Sequence, residues 1–364
     1  MIAVLIVMNL ALALLKKGQS ASATTFFISS VYVYCGVFLL NDKELYSYFT
    51  YVVFFHFVVA IIVPRLPKIN TLKPLNNKKL NFALDALVLI YLFILIFNLD
   101  ISNIELSRMK TFQEFKILYY NLLIMWPVLF LLREKVSKPM VLAYLLTSIL
   151  TGFRSLIINF IFLIALKSIF KNNSLSDLKK LILPTLLLLV VIVAVSYFRT
   201  TAEQKSLFTL VVDRVFMVNA ENINTIVGKD YNFGFTQIFR DFAPLRLFFL
   251  ELNLTTAEYI TKDLNYYYFS TGRIMTPTMF GLGYSSLGSI GFFTPIILIG
   301  LFDTFVFIYE RVVKRPISAV WVFISISMVT RGVWSVLGLY ATLAIPIVLI
   351  SIYKIKKYDF RYSS

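Results

Sequence analysis

Apolar runs of 15 to 27 residues recur along this chain, separated by short polar stretches. At roughly 1.5 Å of rise per residue, helices of that length match the hydrocarbon core of a bilayer, so the pattern predicts membrane-spanning helices. Eleven spans are expected, over 1–15, 21–40, 45–63, 82–99, 117–132, 140–151, 155–170, 181–197, 283–309, 317–330 and 333–353. The run from Met140 to Leu166 holds one charged residue, Arg154, in 27 positions. That is long for one span and short for two. It predicts a hairpin of two short helices with Arg154 at its tip. The segment MVTRGVWS repeats the device, with Arg331 between two spans. A charge between apolar spans is costly without a partner, so both arginines are candidate binding residues.

Composition supports the pattern. Of 364 residues, 59% are hydrophobic and only 15% are charged, and the mean hydropathy is +0.80. Soluble domains carry more charge. The expected architecture is an all-α polytopic membrane protein, one integral domain over 1–364. The single cysteine, Cys35, lies in an apolar run, which excludes an internal disulfide or a thiolate metal cluster.

The net charge of +16 would suggest nucleic acid in a soluble protein. Here the basic residues sort by connection. Alternate connections (16–20, 64–81, 133–139, 167–180, 310–316 and the tail from Lys354) total +17, while the intervening set totals +1; Asp85 and Asp303 within spans account for the remainder. Cytoplasmic loops collect Lys and Arg. The N-terminus is therefore expected outside and the C-terminus in the cytoplasm. Lys16 and Lys17 follow the first apolar run, whereas a signal peptide carries its charge before it, so 1–15 is expected as a retained helix.

One connection is large. Residues 198–282 form an external loop, a length that usually means function. Residues 200–228 read as a helix ended by Gly228, with capping boxes at Thr200/Glu203 and Thr201/Gln204 and an apolar stripe of Leu207, Val211, Val215 and Val218. Thr255 and Glu258 cap a second helix. Between them, FGFTQIFRDFAPLRLFF is expected to lie on the membrane surface. The loop carries Arg199, Arg214, Arg240, Arg246 and Arg273, whereas inward loops favour lysine. Guanidinium groups bind phosphate in a bidentate way. Aromatics are frequent too, including Tyr231, Phe233, Phe235 and the run around Tyr267, and such rings suit a membrane interface or a sugar face. Competing readings are a surface ion pair for Arg240 with Asp241, a solvated helix face for Arg214, and snorkelling to headgroups for Arg199 and Arg273.

Several chemistries are excluded or weakened. The only histidine, His56, falls mid-span, so a histidine-assisted nucleophile at the outer face is lacking, and His56 is expected as a packed, hydrogen-bonded helix residue. Asp42 and Glu44 in the NDKE turn form an acid-x-acid pair of the kind some metal-dependent membrane glycosyltransferases use; a plain solvated turn is the other reading. Gly281, Gly283, Gly288 and Gly291 are expected to serve close helix packing rather than a phosphate cradle. Asp85 and Asp303 are expected to be satisfied by capping or a basic loop.

The TGFRS turn at 151–155, FRTT at 198–201, DRVF at 213–216, the late external loop and TPTMFGLGYSSLGSIGFF together resemble the O-antigen polymerase (Wzy-type) family, over about residues 117–353. The resemblance implies a GT-C-like membrane glycosyltransferase at the outer face of the bacterial inner membrane. It would transfer a growing glycan from undecaprenyl pyrophosphate to the terminal hydroxyl of a second lipid-linked repeat unit. No cofactor is implied: arginines (Arg154, Arg199, Arg240, Arg246, Arg273 and Arg331, with Arg214 beside the base) would neutralise the pyrophosphate in place of a metal. The base would be Glu221, Asp241 or Glu251, with Glu221 preferred because it lies seven residues from Arg214 on one helix face. Tyr267 would line the sugar path. Partners would be the lipid-linked oligosaccharide, membrane lipid and a chain-length regulator, with no nucleic acid. The rival readings are an O-antigen ligase, a metal-dependent glycosyltransferase through Asp42 and Glu44, and a lipid-oligosaccharide flippase.

Overall fold

A computed structural model describes residues 1–16, 20–64, 217–242, 254–270, 274–275, 277–313 and 318–338, with isolated positions elsewhere. Among the described residues all regular structure is helical. The spans expected over 117–132, 140–151, 155–170 and 181–197, the capping boxes at 200–204, and most of 333–353 lie outside them. Every described position from 82 to 98 is helical.

Helix α1 (Ile2–Lys16) packs on the next two helices, burying Leu5 and Leu12. Helix α2 runs over Ala21–Leu40 and α3 over Lys43–Ile62. Both are long and apolar enough to cross a membrane. The NDKE turn between them is explained by its own residues. Asn41 ends α2 in the left-handed conformation, with φ of 54°. The Asp42 carboxylate then accepts from the amides of Glu44 and Leu45, at 3.1 and 3.0 Å, and caps α3.

Helix α2 is the hub, touching α1, α3 and three helices from later in the chain. Its middle widens into a π turn, Ser30–Tyr34. Tyr34, fully buried, hydrogen-bonds with His56 Nδ1 of α3 at 2.6 Å, and Thr25 with His56 Nε2 at 3.3 Å. Phe26 meets the His56 ring edge-on at 5.3 Å. His56 is thus the packed, hydrogen-bonded residue that the sequence predicts. The span centres are nonetheless less uniformly apolar than their composition suggests.

In the 198–282 connection, α4 (Val218–Gly228) ends at Gly228 as expected. It is followed by α5 (Thr236–Asp241), α6 (Thr256–Leu264) and α7 (Tyr266–Ser270). The Thr255/Glu258 capping box is present on α6: Glu258 N donates to Thr255 Oγ1 and Thr255 N to Glu258 Oε2.

The span expected over 283–309 is not one helix. Helix α8 (Thr278–Leu287) continues into a 3₁₀ turn, Gly288–Phe292, and α9 (Thr294–Val313) then leaves at 85°. Gly288 breaks α8 with φ of 60°, and Pro295 can only sit in the first turn of a new helix. The bend folds the backbone onto itself at Gly283 and Gly291. A Cβ on either would collide with the carbonyl oxygen of the other. Close packing is therefore the role of these glycines.

Helix α10 (Ser318–Arg331) crosses α2 and α9. All three are tied by Asp303 of α9. Its buried carboxylate accepts from Ser20 Oγ, Ala21 N, Ser22 N, Ser22 Oγ and Trp321 Nε1, at 2.7–3.1 Å. It caps the N-terminus of α2 across the bundle, a position that favours negative charge.

Candidate functional site

The last described turn of the bundle and the 198–282 loop meet at one cleft. Gly332, with φ of 87°, ends α10 directly after Arg331, and helical conformation resumes over 333–338. A Cβ at Gly332 would collide with Leu282 Cδ1 of α8, so the break needs glycine for both conformation and space. The chain after the break presents Val333 and Trp334 to a cleft of about 110 Å³. Its other walls are Leu282, Gly283 and Ser286 of α8, Pro295 and Leu298 of α9, and α5 of the loop.

The loop wall is held in place by backbone contacts with α8. Phe233 N donates to Ser285 O at 2.7 Å, and Ser286 Oγ to Gly234 O at 2.9 Å. This clamps the chain entering α5. Gln237 and Asp241 are four residues apart on α5, hence on one face, and both are buried and line the cleft. Asp241 Oδ1 also accepts from Thr256 N at 2.7 Å, which joins α5 to α6. The face of α5 turned into the protein is therefore polar, while Phe235 just before it is 72% exposed. Asp241 is buried rather than solvated at the surface.

Arg240 points elsewhere. Its guanidinium lies over the rings of Tyr259, at 5.0 Å, and Phe233, at 5.7 Å. Such cation–π placement fixes a guanidinium without neutralising it. Its Nε is buried without a hydrogen-bond partner. Phe233 in turn stacks on Tyr231, whose hydroxyl donates to Asp263 at 2.5 Å. Burial, then the hydrogen bond and charge of Asp263, raise the Tyr231 hydroxyl above its ordinary range.

The remaining expected site residues divide. Glu221 is exposed on α4; the buried face of that helix, including Ile223 and Ile226, packs against Gly281 of α8. Glu221 does not line the cleft, whereas Asp241 does. Arg331 is half-buried at the end of α10, two residues before the cleft-lining Val333. Tyr267 lies in α7. Arg154, Arg199, Arg214, Arg246, Arg273 and Glu251 lie outside the described residues. Two cleft residues escape a reading based on charge, Gln237 and Trp334. Their signal is a neutral polar residue four positions before an aspartate, and a tryptophan three positions after the tip arginine.

Compared with protein-family models, with curated proteins and with solved structures, the chain matches none. Its class rests on its own helices: over the described residues it is all-helical, with two helices long and apolar enough to cross a membrane.

Proposed function

We propose that this protein polymerises lipid-linked oligosaccharide repeat units at the outer face of the bacterial inner membrane. The supporting observation is the shared cleft. A candidate base from the external loop, Asp241, and the chain leaving the tip arginine Arg331 meet there from positions 90 residues apart in sequence. In this reading eleven spans form a GT-C-like bundle with its N-terminus outside and C-terminus cytoplasmic. Arg331, Arg240 and the loop arginines stabilise the pyrophosphate as the glycosidic bond breaks. Asp241 takes the proton from the attacking sugar hydroxyl; it lines the cleft, which the exposed Glu221 does not.

The ligase alternative expects a loop histidine, and residues 198–282 contain none. The metal-dependent alternative needs Asp42, whose carboxylate is engaged as a helix cap.

The test is purified protein with lipid-linked repeat units, assayed for polymer with and without chelator. Polymer in both is expected. Arg154→Ala and Arg331→Ala should insert normally yet lose about 100-fold in rate, the scale seen when one charge-stabilising group is removed. Normal long chains from both variants would sink the assignment. Activity abolished by chelation would move it to a metal-dependent enzyme.

A further inference from the structure

Thr278, the first residue of α8, has φ of 59° and is 1% exposed. Asn41 and Asp230 adopt the same left-handed region. Their short polar side chains tolerate it, whereas a β-branched residue there is strained. Such strain persists only where surrounding contacts over-determine the backbone, and it collects at sites that must be placed accurately. Thr278 stands at the joint where the loop helices give way to α8, and α8 supplies one wall of the cleft.

Contacts on both sides hold the joint. Before it, Met275 N donates to Thr261 Oγ1 of α6 at 2.9 Å. After it, three consecutive residues each meet a different partner. Met279 lines the cleft. Phe280 packs on the rings of Tyr34 and Phe49, from α2 and α3, with centroids at 5.5 and 5.7 Å. Gly281 approaches α4 so closely that a Cβ would lie 3.2 Å from Ile226 Cδ1. The turn is also tied to its own side chain, because Thr278 Oγ1 accepts from Phe280 N at 3.3 Å. Relaxing φ to the helical value near −60° would swing the chain by about 120°. Either Met275 would then leave α6, or Met279 would leave the cleft.

We infer that Thr278 is a positioning residue for the cleft: its left-handed backbone, held under strain, sets the first turn of α8 so that Met279 forms a wall of the cleft while Phe280 stays in the bundle. No charge and no particular ligand enters this role, which holds whatever the cleft binds. Of the readouts below, only polymer formation rests on the polymerase reading.

The test compares full-length wild type with Thr278→Asn and Thr278→Val in detergent. Asparagine tolerates the left-handed region and keeps an acceptor for Phe280 N; valine keeps the branched Cβ and loses the acceptor. Thr278→Asn should melt at or a few degrees above wild type, and Thr278→Val a few degrees below. Fluorotryptophan NMR reads the cleft itself. Trp334 lines it, and Trp334→Phe assigns its resonance among the chain's three tryptophans. Thr278→Val should shift the Trp334 resonance and leave in place that of Trp321, which is bonded to Asp303. Thr278→Asn should shift neither. Well below both melting temperatures, Thr278→Val should also make polymer about tenfold more slowly, since small misplacements are costly. Thr278→Ala repeats the comparison should Thr278→Val fail to fold. The role is overturned if Thr278→Asn melts as low as Thr278→Val, or if Trp334 stays unmoved in Thr278→Val and Thr278→Ala. A shifted Trp334 in a protein that makes no polymer would remove the polymerase reading and keep the role of Thr278. Polymer at the wild-type rate with Trp334 unmoved would do the reverse.

Discussion

Asp303 concentrates five donors on one buried carboxylate and so joins three helices. Asp303→Ala would strand those donors in an apolar bundle, at a cost of about 3 kcal/mol or more. Asp303→Asn keeps one acceptor oxygen and should lose less. Thermal unfolding in detergent checks the order, and equal melting temperatures for all three proteins would refute the capping role. Outside the membrane helices, Tyr231 gives a pH signature. Its folded hydroxyl holds its proton more tightly than an unfolded tyrosine, which titrates near pH ~10. The stability it contributes is complete below that pH and declines as pH rises through the folded value. Wild type should therefore lose stability more steeply above pH ~10 than Tyr231→Phe, as measured by unfolding at several alkaline pH values.

Among elements, the bend between α8 and α9 shapes the cleft. It depends on the backbone contact of Gly283 with Gly291, which leaves no room for a methyl group. Gly283→Ala should cost about 3 kcal/mol through overpacking and strain. Gly228, at the end of α4, has open space around its Cα, so Gly228→Ala should be neutral or stabilise by up to about 1 kcal/mol. Melting of the two variants side by side separates steric need from helix propensity. The capping box at Thr255, the stop at Gly228 and the ends of α1, α2 and α3 were all legible in the sequence, because each depends on neighbours a few residues apart. The bend was not. Its four glycines sit in an apolar run that also fits a straight helix, and whether Gly283 meets Gly291 depends on folding the run back.

For the whole molecule, the charge asymmetry of the connections predicts an orientation that labelling can read. Cys35 is the only cysteine, so Cys35→Ser supplies a clean background. Asn232→Cys, exposed in the loop, should react with a membrane-impermeant maleimide from outside. Lys314→Cys should react only after the membrane is opened. The reverse pattern would invert the topology and place the cleft on the cytoplasmic side, which the polymerase reading could not survive.

Helices long and apolar enough to span a membrane, the loop helices and their caps follow from the sequence by itself. Hydropathy, capping and charge bias act over short stretches of chain, so they can be read in order along it. The tertiary structure alone decided which carboxylate faces a cavity. Helix spacing favoured Glu221 over Asp241, yet Glu221 ends on the solvent side of α4 and Asp241 beside Gln237 in the cleft. That outcome depends on Phe233 and Gly234 bonding to α8 some 50 residues later, and on Gly332 yielding space to Leu282. Contacts between distant segments carry no local periodicity, so only the packed fold brings them into view.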